Sequence, residues 1–186
     1  MVDQRKVEEA VLSIIEAIGE DPKRQGLVGT PGRIAEMYAE LFMGIDLDPK
    51  EELTVSFEEG HHEMVILRDI PFYSLCEHHL LPFYGVVHIG YIPKGSVVGA
   101  SKLARVVEIL SKRPQLQERL TTQIAETIVE ALQPDGVAVV IQAEHMCMTI
   151  RGVKKPGSNV ITSATRGLFR TKAATRSEFM SLVQGR

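Results

Sequence analysis

Apolar residues at Val7, Ala10, Val11, Ile14, Ile15 and Ile18 recur at helical spacing, and Gly19 stops the run, which predicts a first helix. Thr30-Pro31 marks a second helix start, and Ile34, Met37, Tyr38, Leu41 and Phe42 continue its stripe as far as Gly44. Residues 21–29 read as the loop between the two. A polar, acidic stretch over 51–62 precedes two runs rich in β-branched residues, 64–70 ended by Pro71 and 86–92 ended by Pro93, both predicted as strands. Two longer periodic segments follow, 101–111 and 114–132. The first aligns Leu103, Val106, Val107 and Leu110, and the second aligns Leu116, Leu120, Ile124, Ile128 and Leu132. Asp135-Gly136 then turns the chain into strand candidates at 137–141 and 146–150, and 167–183 adds a less regular helical segment. Strands, two long helices and strands again predict an α+β fold, an antiparallel sheet with the two long helices on one face. No repeat, low-complexity tract or linker divides the chain, so a single domain is expected over 1–186.

Composition narrows the function classes. With 44% hydrophobic and 24% charged residues and a net charge of -3, the chain lacks the basic surplus of a general nucleic-acid binder, although a local basic pocket stays open. No apolar run reaches membrane-spanning length and the N-terminus is amphipathic, so neither nucleic acid nor membrane is an expected partner and the location expected is cytoplasmic. Two cysteines cannot build a disulfide framework.

Those two cysteines sit among histidines. The fragment "CEHH" places Cys76 and His79 at a Cys-x-x-His spacing that lets both reach one metal from a turn. Cys147 lies in "EHMCMTIR", where alternation of period two puts His145, Cys147, Thr149 and Arg151 on one face and Met146, Met148 and Ile150 toward a core. Cys76, His79 and Cys147 would together give a three-ligand zinc site. An open fourth position would let zinc make water a nucleophile near neutral pH. In an extended segment His78 points away from His79 and suits proton transfer, and His145 is a second acid or base candidate. The alternative is that both cysteines are small core residues.

Ser101 reads as an N-cap that places Lys102 and Arg105 in the first turn of a helix, where cations are unfavourable unless an anion offsets them. A phosphate cradle with Arg151 and Arg33 fits, as does a solvated basic turn. Glu118, near a helix start, could accept from the N1–H and exocyclic amine of a guanine, or be merely solvated. His88, His61 and His62 read as surface or structural.

The ordered segments "SLCEHHLLPFYG", "YIPKGSVVGASKLARVVE", "RPQLQERLT", "EHMCMTIRGV" and "TSATRGLF" resemble the GTP cyclohydrolase I family from about the first helix to the C-terminus. The resemblance implies Zn2+ held by Cys76, His79 and Cys147, with proton transfer by His78 and His145. It implies guanine recognition by Glu118 with Gln117, and triphosphate binding by Ser101, Lys102, Arg105, Arg151 and Arg33. The reaction implied is hydrolysis and rearrangement of GTP to 7,8-dihydroneopterin triphosphate with release of formate, the first step of tetrahydrofolate and pterin biosynthesis. The fold implied is the tunnelling fold, with an N-terminal helical part over 1–45 and a core over 63–186. Its barrel is completed by homo-oligomerisation, commonly as a decamer of two pentamers with active sites between subunits. The long N-terminal extension of some members is not seen, so regulation through one is not expected. Met146 replaces an aromatic residue found in some members and is expected to face the core without effect on the chemistry. Two other readings remain at this stage. One is a related tunnelling-fold protein acting on another pterin or deazapurine, for instance a nitrile reductase with a cysteine nucleophile and no zinc, and the other is a zinc-stabilised nucleotide-binding or scaffolding module that binds GTP without turning it over.

Overall fold

The computed structural model describes residues 1–185. Helix α1 spans Gln4–Ala17, with the Asp3 side chain accepting from the Lys6 N–H at its start. Helix α2 spans Thr30–Leu41, capped by Gly29 with Pro31 in its first turn. The acidic stretch that carried no predicted element forms a short 3-10 helix, Pro49–Leu53, and strand β1, Ser56–His61. Strands β2 (Val65–Cys76), β3 (Pro82–Ile92) and β4 (Gly95–Val98) lead into helix α3, Ala100–Ser111. After the two-residue strand β5 (Pro114–Gln115), helix α4 spans Gln117–Leu132. Strand β6 (Gly136–His145), the short helix α5 (Met146–Thr149) and strand β7 (Asn159–Gly167) follow, and helices α6 (Leu168–Thr171) and α7 (Ala173–Gln184) end the chain.

The main sheet runs β5-β2-β3-β6-β7, antiparallel except where β5 meets β2, and β1 pairs with β4 beside it. The mixed α+β expectation holds. Odd-numbered residues of β3 and β6, such as Val87, Ile89, Val139 and Ile141, pack under α3 and α4 against Leu103, Val106, Leu120 and Ile124. Even-numbered Ala138 and Val140 face Phe169 and Phe179 of α6 and α7 on the other side. Leu120, Ile124 and Ile128 are fully buried, each stabilising the layer by about 1.5–3 kcal/mol. Gly90 lets α7 approach, because a Cβ there would lie 2.7 Å from the Phe179 ring.

Several predicted boundaries differ. Pro71 does not end β2. β5 pairs only with Leu75 and Cys76, so at Pro71 one side of the strand is an open edge that needs no N–H donor. Two residues of β2, Arg68 and Asp69, oppose the single residue His88, forming a β-bulge with Asp69 at φ 59°. His88 is buried there and accepts from the Asp69 N–H at 3.1 Å, so it is structural rather than a surface residue. The helix expected over 114–132 begins only at Gln117, because Pro114 and Gln115 pair with β2.

The largest correction concerns 146–150, which is helical and not a strand. The ladder between β3 and β6 ends at Phe83 opposite His145. Beyond it the chain of β3 has already turned back, so no partner strand is available, and the segment closes its own hydrogen bond, Ile150 N–H to Met146 O at 3.1 Å. Ile150 is consequently 57% exposed, not in the core.

Candidate metal centre and active site

Strand β2 carries Cys76 into the core, and the following residues 77–79 form a tight turn rather than an extended segment. The turn closes through Cys76 N–H to Leu81 O at 2.9 Å and Leu80 N–H to Cys76 O at 2.8 Å, with Leu80 at φ 50°. It is tied outward by Glu77 N–H to Gln115 O at 3.0 Å and by a two-point ion pair from Arg119 to Glu77. The Arg119 guanidinium holds the Glu77 carboxyl below the usual carboxylate range. His78 and His79 are exposed, with their rings nearly perpendicular.

Helix α5 brings Cys147 to the same place. Ligand atoms of Cys76, His79 and Cys147 all lie within 4.8 Å of one another, the one such group of metal-ligating side chains found among the described residues. Ligands on a tetrahedral ion with bonds of about 2.0–2.3 Å sit roughly 3.5 Å apart, so a small shift would let all three share one ion. Burial pushes the Cys147 thiol up, the neighbouring Cys76 adds to that, and Arg151 opposes it. Two crowded sulfurs and an imidazole form a donor set whose thiolate charge a divalent cation would offset.

His145, the last residue of β6, stacks on Phe83 with ring centroids 4.6 Å apart and planes 6° from parallel. Its Nε2 lies 2.8 Å from Gln117 Oε1. Gln117 is 1% exposed, and its Nε2 donates to Ile141 O, Val160 O and Thr162 Oγ1. Carbonyls only accept, so the amide oxygen must face His145 and the imidazole must donate from Nε2, leaving Nδ1 with its lone pair. Burial lowers the His145 pKa, and the Glu118 carboxylate partly opposes the fall, placing Glu118 in the same neighbourhood. Gln117 thus spends its side chain within the chain, and what it offers a ligand is the main chain of an α4 start that has no side-chain cap.

The remaining sequence candidates lie elsewhere. Ser101 is not the N-cap of α3. Gly99 holds that position, and no side chain caps the helix. Lys102 donates to Glu52 at 3.0 Å, and Arg105 Nη1 lies 3.6 Å from the same carboxylate. The anion that two cations at a helix start require is therefore supplied by the chain itself, and these partners hold the Glu52 carboxyl below its ordinary range. Ser111, at the far end of α3, accepts from Ser74 at 2.6 Å, near Cys76. At about 1.5 Å per residue, Lys102 lies roughly 14 Å along the helix from that end. Arg33 bonds Thr30 at 2.9 Å and Gly26 at 3.5 Å within the N-terminal helical region. The chain gathers Cys76, His79, Cys147, His145, Gln117, Glu118 and Arg151, while Ser101, Lys102 and Arg105 lie toward the start of α3 and Arg33 bonds within its own helical region. The Glu77–Arg119 pair and Glu52 were missed from sequence. For Glu77 the available signal was its place between two ligands.

Residues 7–184 match the family model described as GTP cyclohydrolase I. The GTP cyclohydrolase 1 of Pelotomaculum thermopropionicum is 65% identical over 186 residues, covering 100% of this chain and 99% of that protein. The GTP cyclohydrolase 1 of Dehalococcoides mccartyi is 64% identical over 99% of this chain and 98% of its own length. That of Thermoanaerobacter pseudethanolicus is 57% identical, with 100% of both chains covered. Among solved structures, the archaeosine synthase QueF-like protein in its apo form aligns at a TM-score of 0.47 and 23% identity, over 56% of this chain and 93% of that one.

Proposed function

The chain belongs to the GTP cyclohydrolase I family of enzymes, and from that premise we propose that it converts GTP to 7,8-dihydroneopterin triphosphate with release of formate at a zinc site of Cys76, His79 and Cys147. The observation that carries the reading is the convergence of these three donors from a turn and a short helix far apart in sequence. Two thiolates and an imidazole suit zinc, and three protein ligands leave one position open. When bound, zinc supplies the Lewis acidity that makes water a nucleophile near neutral pH, suited to attack at C8 of the guanine ring.

The chain's own residues do the rest. His145 is held with Nδ1 free, so it can take up or return a proton at that atom while Gln117 keeps the ring in place. His78, exposed and beside a ligand, exchanges protons with solvent and with a ring nitrogen of the substrate. Glu118 accepts from the N1–H and exocyclic amine of guanine, supported by the main chain of Gln117. Arg151, near Cys147, and the separate set of Ser101, Lys102, Arg105 and Arg33 bind the triphosphate.

Lys102 stands a helix length from the end of α3 that adjoins the donors and is paired there with Glu52, which favours a site completed by residues of a neighbouring subunit. This supports a homo-oligomer in which small sheets join edge to edge into the barrel of a tunnelling fold, as a decamer of two pentamers. Each subunit is one domain, with a helical part over 1–45 and the core over 63–186. No described helix is long and apolar enough to cross a membrane. A cytoplasmic enzyme opening tetrahydrofolate and pterin biosynthesis is the role proposed. Incubation with GTP, with and without a chelator, tests it. Formate and a fluorescent neopterin, after oxidation and dephosphorylation, are expected only without chelator. GTP bound but unchanged would reject the reading.

A further inference from the structure

Glu77 stands between two of the proposed ligands, Cys76 and His79, and its carboxylate forks onto Arg119 of α4. Oε1 accepts from Nη2 at 3.0 Å while Oε2 accepts from Nη1. The pair joins the two pieces of chain that carry different halves of the chemistry. One is the metal-binding turn. The other is the first turn of α4, where Gln117 holds His145 and Glu118 follows.

An ordinary surface ion pair contributes little to stability. Two features set this one apart. A two-point guanidinium–carboxylate contact fixes orientation as well as distance. The Glu77 main chain is also bonded to Gln115 O at 3.0 Å, so side chain and backbone are both anchored to the short stretch that enters α4. The turn has few other restraints. Its remaining main-chain bonds close it on itself. Among the described residues, the Glu77–Arg119 pair is the side-chain hydrogen bonding that ties 76–80 to the rest of the protein, apart from the contact of the Cys76 and Cys147 sulfurs.

We infer that the Glu77–Arg119 pair is a positioning device that sets the spacing between the metal-binding turn and the guanine-recognising start of α4. The inference rests on the zinc and Glu118 assignments proposed above. Without the pair the turn still forms, but His79 must be ordered when the metal arrives, and a nucleotide seated on α4 no longer presents its reacting carbon at a fixed distance from the ion. Metal affinity and the catalytic step should suffer together, while substrate binding should be spared.

The test uses Glu77→Gln, Arg119→Gln and the double variant of the full chain. Zinc affinity is read by competition with a chromophoric chelator, and steady-state kinetics are measured at saturating zinc. Each single variant is expected to bind zinc about ten-fold more weakly, the low end of what loss of a contact supporting a metal site costs. At saturating zinc, kcat should fall about ten-fold with KM within about two-fold of wild type, a split that loss of global stability does not produce. The double variant should be no worse than either single, because both remove the same contact. Single variants with zinc affinity and kcat within about two-fold of wild type, or losses that add in the double, overturn the inference. If Arg119→Gln fails to fold, Glu77→Gln alone decides. A wild-type protein that binds no zinc defeats the metal assignment and this inference with it. Wild-type binding with unaltered variants defeats this inference alone.

Discussion

His145 donates from Nε2 to Gln117 Oε1 across 2.8 Å, and the accepting amide cannot turn round because its nitrogen is committed to Ile141 O and Val160 O. The tautomer of the imidazole is therefore set by the strand carbonyls beneath it. Gln117→Leu keeps the approximate volume but releases the ring. The expected result is a kcat lower by about ten- to a hundred-fold, part of the roughly 10²–10⁴ that positioned acid–base catalysis supplies. Zinc affinity should stay unchanged. Unaltered kcat would show that the Gln117 contact does not set the state of His145.

Metal binding and proton transfer should separate by mutation. Cys147→Ala takes one of three donors from the cluster, and zinc content and turnover should disappear together. His78→Ala should keep its zinc, measured by elemental analysis, and lose about 10² or more in kcat. Loss of zinc in the second variant would make His78 part of the metal site.

Glu118→Ala tests base recognition. A site that loses its acceptor for paired donors should lower kcat/KM for GTP by about 10² or more and narrow the preference for GTP over an analogue lacking the exocyclic amine. If the variant handles GTP as well as wild type does, guanine is recognised elsewhere.

The separation of Lys102 from the cysteine cluster predicts complementation. Lys102→Ala and Cys147→Ala should each be nearly inactive alone. Oligomers formed by co-expressing the two should regain measurable turnover, because some sites then draw an intact Lys102 and an intact Cys147 from different subunits. Two inactive variants that stay inactive in mixed oligomers of confirmed composition would place both residues in one subunit's site.

His88 predicts a pH effect on stability. Burial lowers its pKa below the ordinary 6.5, despite a partial opposing effect of Asp69. The unfolded chain therefore takes up the proton first as pH falls. Stability contributed by neutral His88 is fully present above about pH 6.5 and is lost as pH drops toward the folded-state value. His88→Asn retains an acceptor for the Asp69 N–H but does not titrate, so its melting temperature should fall less than that of wild type between pH 7 and about pH 5. Parallel curves would show that His88 is not responsible.

Core truncation should act independently of all these. Ile124 is fully buried between α4 and the sheet, and Ile124→Ala should cost about 2–5 kcal/mol in denaturant unfolding.

Helices α3 and α4 were legible because each buries one face, which writes a 3.6-residue stripe into the chain, and α1 and α2 carry the same stripe although its Ile14, Ile18 and Met37 stay exposed. The heart of β6 was legible from its β-branched run. Strand β7 was not identified, although Val160, Ile161, Thr162 and Thr165 offered the same signal, because its polar and small residues interrupt the pattern of an edge strand. The helical form of 146–150 was illegible, since alternation of apolar and polar residues there matched a strand whose partner does not exist in space. Cys147 nevertheless reaches the cluster, since α5 follows directly on the end of β6.

From sequence alone came the inventory: which side chains can bind a metal, move a proton or hold a phosphate, and which segments hide an apolar face. Those are properties of residue type and short-range spacing. Only the tertiary structure decided that Cys76, His79 and Cys147 meet, that Gln117 turns inward to His145, that Glu77 reaches Arg119, and that Lys102 answers to Glu52 away from the cluster. Such meetings depend on strand register and helix length across residues distant in sequence, where each pairing is set by the packing of the whole core.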